Sequence, residues 1–165
     1  MDLSIQDIGA IGEFISSIVV IITLVYLAVQ IRQNTLEVRT TNRQQLLNRG
    51  HRATMQIAEN PGLADVMSKA GTGEDLTRTE RMQYALVVRG TLYDVQEAFL
   101  LFQENRLDQK YWVTRTSLIK VLMRDKAAKN VYRGTKANGM LHEDFVEWLD
   151  TYLEELSTDA GMDHG

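Results

Sequence analysis

From Phe14 to Ile31 the chain reads FISSIVVIITLVYLAVQI, 18 residues without a single charge. As an α-helix that run is about 27 Å long, close to the ~30 Å hydrocarbon thickness of a bilayer. Starting at Ile8 lengthens it to 24 residues with one acid, Glu13, near its outer end. A secretory signal needs a basic leader and a small-x-small cleavage site. Here the leader carries Asp2 and Asp7, and YLAVQIRQ offers no such site. A soluble core helix keeps a polar stripe, whereas IVVIITLVYLAV is apolar on every side. The run therefore predicts a transmembrane helix over 8–31, with a core or surface-embedded helix as the alternative.

The flanking charges set a direction. Asp2, Asp7 and Glu13 precede the run with no Lys or Arg among them. Arg32, Arg39, Arg43, Arg49 and Arg52 follow it against one acid, Glu37. Positive charge stays on the cytoplasmic side, so residues 1–7 are expected outside and the chain beyond the span inside. Arg32, Arg39 and Arg43 become candidate contacts to anionic lipid headgroups. Gly9, Gly12 or Glu13, Ser16, Ser17 and Val20 share one face of the span. Small residues at that spacing let two membrane helices approach closely, which makes Gly9, Gly12, Glu13 and Ser16 a candidate contact face. The alternative is that the glycines mark the membrane entrance and Glu13 lies among headgroups, where it costs little.

Beyond the span the pattern is helical throughout. Residues 32–59 carry few apolar positions (Leu36, Leu46, Leu47, Met55, Ile57) and read as a juxtamembrane continuation of the same helix. Pro61 in NPG ends it, having no amide donor. GLADVMSKAG then gives a turn or two, closed by Gly71–Gly73. Thr77 with Glu80 forms a capping box for a long helix, Arg78 to about Asn105. Its stripe is Tyr84, Val87, Val88, Thr91, Val95, Phe99 and Phe102, widened by Met82, Leu86, Leu92 and Tyr93. So wide a face predicts a central helix with several neighbours. Asp108 caps the next helix, to about Arg124. A short helix follows, ending near Gly134, with a turn at Asn138–Gly139. The last helix, about Glu143 to Leu156, has apolar residues at i, i+3, i+4 and i+7. The expectation is an all-α protein: a transmembrane helix continuing into a small cytosolic bundle over 60–157, with a disordered tail over 158–165.

Chemistry is hard to find in this chain. There are no cysteines, which excludes disulfides, thiolate metal sites and cysteine nucleophiles. Of His51, His142 and His164, His142 adjoins Glu143, Asp144 and Glu147, yet one acidic helix start is not a metal site, and no phosphate-binding glycine loop or Gly-x-Ser-x-Gly turn is present. No cofactor is implied. A net charge of −4 gives no global case for nucleic acid. Arg89, Gln96 and Glu97 interrupt the apolar long helix and form a candidate buried polar network or pocket lining. Segment 106–136 holds nine basic residues against Asp108 and Asp125, while 142–165 holds eight acids and no Lys or Arg. Either these two segments pair within the fold, or the basic one faces anionic lipid, nucleic acid or an acidic partner.

IGAIGEFISSIVVIITLVYLAVQIRQNT resembles the N-terminus of an uncharacterised family of small bacterial membrane-anchored helical proteins. ENPGLADVMSKA, LTRTERMQYALVVRGTLYDVQEAFLLFQENRLDQKYW and MLHEDFVEWLDTY resemble later blocks of that family in the same order. The resemblance implies an inner-membrane, single-pass helical protein and brings no activity, cofactor or site residue. His142 stands where members often have a Ser or Thr cap before the last helix. The functional expectation is a non-enzymatic adaptor, scaffold or accessory subunit in contact with membrane lipid and a protein partner or a second copy of itself. A membrane-tethered sensor with a small ligand near Arg89, Gln96 and Glu97 is the alternative.

Overall fold

A computed structural model describes the backbone of residues 5–162 and the side chains of Gly9 and of residues 12–156. The described chain is six α-helices without a strand: α1 (Ile5–Ala58), α2 (Pro61–Thr72), α3 (Arg78–Gln103), α4 (Gln109–Leu122), α5 (Lys126–Ala137) and α6 (Glu143–Met162). They fall into two compact units that divide between Thr40 and Thr41, so that α1 contributes to both.

In the first unit every residue from Gly12 to Glu37 is exposed. A core helix hides its apolar side chains, and this one does not: Phe14 and Ile31 are both 67% exposed. The helix is long and apolar enough to cross a membrane. Serine and threonine hydroxyls of the apolar run are bonded within the helix: Ser16 donates to the Gly12 carbonyl (2.8 Å), Ser17 to Glu13 (2.9 Å) and Thr23 to Val19 (2.8 Å). Those side chains thus return their donors to the helix's own carbonyls. Of the expected outer segment, residues 1–4 lie outside the described residues.

The second unit is built around α3, which packs against α2, α4, α5 and α6. Its buried stripe is Tyr84, Val88, Leu92, Val95, Ala98 and Phe99. One end of the core is aromatic. Trp148 stands 4.9 Å from Trp112 and 5.4 Å from Phe99 between ring centroids, and Phe145 stands 5.7 Å from Phe99. Offset and tilted contacts of this kind stabilise beyond their buried area. Leu46, 1% exposed, enters the core from α1, and the Asn42 side-chain amide donates to the Arg106 carbonyl at 3.1 Å. The second compact unit thus begins at Thr41 and takes in the last turns of α1. Leu46 was invisible as a core residue because the turns around it are polar.

Local chemistry explains the boundaries. Asn60 accepts from the Leu63 amide (3.2 Å) with Pro61 in the first turn, and Gly73 closes α2 in the left-handed region (φ 77°). The expected turn or two is thus a full 12-residue helix. Both halves of the Thr77–Glu80 capping box form, at 3.3 and 2.7 Å. Asp108 caps α4 through the Tyr111 amide (2.9 Å), and Asp125 caps α5 through Ala127 (2.8 Å). The Asp125 carboxylate also accepts from the Tyr84 hydroxyl, which ties α3 to the start of α5.

Several ends differ from expectation. α3 stops at Gln103 because Asn105 turns left-handed (φ 57°), a conformation its short amide side chain tolerates. α4 stops at Leu122, where the chain turns into the Asp125 cap. α5 runs through Gly134 to Ala137, and α6 continues to Met162 instead of giving way to a tail at 158. Nothing in Ser157–Ala160 breaks a helix. Residues 163–165 lie outside the described residues.

Candidate functional site

A groove of about 1070 Å³ opens within the second unit, between the last turns of α1, the outer face of α3 and α4. Leu47, Gly50 and Ile57 form the α1 wall, Leu86, Val87 and Gly90 the α3 wall, and Leu118 the α4 wall, with Leu63 closing one end. The surface is mostly apolar, and Leu47 (51%), Leu86 (55%) and Leu118 (40%) remain exposed. Uncovered apolar area of this kind marks a binding surface more often than chance exposure does. Met82, Leu86 and Tyr93, expected to widen the inward stripe of α3, in fact face outward. They look core-like in sequence because only a neighbour's position separates core from groove.

The polar groups around the groove are mostly satisfied already. Thr54, Thr91 and Thr114 each donate to a carbonyl of their own helix: Gly50 (2.9 Å), Val87 (3.1 Å) and Lys110 (3.0 Å). Arg115 donates to the Leu46 carbonyl (2.9 Å) and to the Tyr111 hydroxyl (3.0 Å), with its guanidinium 5.1 Å from that ring's centroid. Arg49 pairs with Glu97 at 3.3 Å, and that bond raises the basicity of its guanidinium. Asp94 differs. It lines the groove half-buried, and among the described residues it has neither a hydrogen bond nor an ion pair. Burial pushes its carboxyl up from the ordinary value, the charges of Arg115 and Arg49 oppose the shift, and Glu97 reinforces it.

The sequence-derived candidates are placed as follows. Gly9, Gly12, Glu13 and Ser16 are exposed on the first unit, and a Cβ at either glycine would meet nothing within 4 Å. Arg32 is exposed, Arg39 is half-buried, and Arg43 is turned toward the α4 cap, 3.8 Å from Asp108. Arg89, Gln96 and Glu97 are not one network. Gln96 accepts from the His142 amide (2.7 Å), Glu97 is exposed and pairs with Arg49, and the Nε of half-buried Arg89 has no partner. Residues 89 and 96 lie seven positions, almost two turns, apart on one flank of α3, while 97 belongs to the groove side.

The opposed charge blocks also do not pair as blocks. Lys136 pairs with Asp150, Arg106 with neighbouring Glu104, and Arg133 bonds Asn130. Lys110, Lys120, Arg124, Lys126 and Lys129 have no acid partner among the described residues. All five are exposed to solvent.

No three His, Cys, Asp or Glu residues come together to hold a metal among the described residues. The groove offers apolar contact area, bare backbone at Gly90, and one carboxyl without a donor. Neither Asp94 nor the groove was identified from sequence. Gly90 and Asp94 at i and i+4, opposite the inward stripe of α3, are the signal that was there to read. Compared with known protein families, curated proteins and solved structures, the chain matches none.

Proposed function

We propose that this is a non-enzymatic, single-pass membrane protein whose helical domain works in the cytoplasm as an adaptor, scaffold or accessory subunit of a membrane complex. The apolar groove between α1, α3 and α4 carries this reading. Its walls are mostly hydrophobic, its threonine hydroxyls are bonded to their own helices, and no described residue fills it. A surface of that kind binds by shape and apolar contact. The acidic leader and arginine-rich exit of the apolar helix support the orientation, N-terminus outside and domain inside. The family resemblance supports an inner-membrane location.

The test is site-specific photocrosslinking in native membranes. A photoreactive residue at Leu86 should yield adducts that one at Thr151, on the outer face of α6, does not. Filling the groove with Gly90→Leu should abolish them. Adducts that are equal from both positions, or unchanged by Gly90→Leu, would contradict the proposal.

A second reading, a membrane-tethered sensor, draws on the groove's size, which falls at the upper end of small-molecule sites. The ligand would then lie against Leu86 and Asp94, not against Arg89 and Gln96.

A further inference from the structure

If the groove is a docking site, as proposed above, Asp94 restricts what can dock there. Its carboxyl is half-buried and without a partner in the described fold. The two guanidiniums that act on it are held elsewhere, Arg49 by Glu97 and Arg115 by the Leu46 carbonyl and the Tyr111 hydroxyl. An apolar occupant would strip the remaining water from Asp94 and leave a buried carboxyl with no donor, which is strongly unfavourable. The occupant must therefore supply the donor itself.

The shape of the groove narrows the choice further. The α1 wall from Leu47 to Ile57 is about 15 Å long, enough for roughly three turns of another helix. Gly90 leaves bare backbone on the α3 wall, where a Cβ would meet nothing within 4 Å, while on the α1 wall the Arg115 guanidinium lies 3.5 Å from where a Cβ at Gly50 would stand. The threonine hydroxyls on the walls are already bonded to their own helices, which leaves Asp94 as the one acidic group of the lining, without a donor. His51 and Arg52 on the lip are exposed, stay hydrated, and contribute little to an ion pair. We propose that the groove receives an amphipathic helix of a partner protein whose apolar residues cover the α3 wall and whose lysine or arginine reaches Asp94. An acidic helix is disfavoured, because it would place like charge beside the one group that lacks a donor.

The experiment is a display selection of helical 18-residue peptides against the full chain in nanodiscs of zwitterionic lipid, with counter-selection on Gly90→Leu. The selected pool should carry Lys or Arg flanked by apolar residues three and four positions away. Its best member should bind Asp94→Asn at least tenfold more weakly than the parent, and Arg52→Gln within twofold. Replacing that peptide's basic residue by norleucine should cost tenfold against the parent and nothing against Asp94→Asn, which separates the ion pair from any change in folding. A pool rich in Asp and Glu, or binding lost with Arg52→Gln but kept with Asp94→Asn, would overturn the assignment of partner chemistry while leaving the groove a docking site. An empty pool, or one indifferent to Gly90→Leu, would overturn the docking reading itself.

Discussion

The side-chain carbonyl of Gln96 on α3 accepts the backbone N–H of His142 at 2.7 Å, at the threshold of α6. The start of a helix leaves amides without partners, and here a neighbouring helix supplies one acceptor. Gln96→Leu should lower unfolding stability by about 1 kcal/mol in urea titrations. Gln96→Glu, which keeps the acceptor, should lose less.

Leu46 is sealed into the core although it belongs to the helix that begins at Ile5. Leu46→Ala should cost about 2–5 kcal/mol, as large-to-small core substitutions do. Leu36→Ala, at an exposed position of the first unit, should leave the domain's melting temperature unchanged. Equal effects at the two positions would mean that the domain does not begin at Thr41.

Gly90 and Gly134 lie inside α3 and α5 with open space where a Cβ would go. Gly90→Ala and Gly134→Ala should each stabilise the fold by about 0.5–1 kcal/mol. Gly73→Ala should destabilise it, because position 73 is left-handed. Thermal unfolding of the three variants checks the set.

The Lys69 ammonium, followed by the Thr77 backbone and hydroxyl, lowers the Glu80 carboxyl from its ordinary 4.5 to about 2. A depressed folded value means the group stabilises the fold above pH 4.5 and that this contribution fades as pH falls toward 2. Glu80→Gln should flatten the stability profile in that acid window, as read from melting temperature against pH.

Asp94 has the opposite sign. Its carboxyl is raised, so the folded state holds the proton more tightly than the unfolded chain does. The ionised group therefore disfavours folding near neutrality, and the penalty lifts as pH falls through its folded value. Asp94→Asn should raise the melting temperature at pH 7 and have no effect at low pH.

Much of the fold was legible because helix ends announce themselves. Thr77 with Glu80, Asp108 and Pro61 fix termini through backbone hydrogen bonding, which is local chemistry. The end of α5 was misplaced because Gly134 looks like a stop signal, yet a glycine inside a well-packed helix costs only about 1 kcal/mol. The candidate site was not legible. Leu86 and Tyr93 are as apolar as Val88 and Leu92, and which pair is covered depends on where α1 and α4 come to rest. For the same reason Gln96, Arg89 and Glu97 looked like a cluster, although they serve three separate surroundings.

Anchoring is the central claim, and the absence of cysteines allows a direct measurement. Single-cysteine variants Asp2→Cys and Thr151→Cys would be treated in intact cells with a membrane-impermeant thiol reagent. Labelling is expected at position 2 from outside, and at position 151 only after the membrane is permeabilised, with the protein retained in the membrane after alkaline carbonate washing. Labelling at 151 in intact cells, or release of the protein by carbonate, would contradict it.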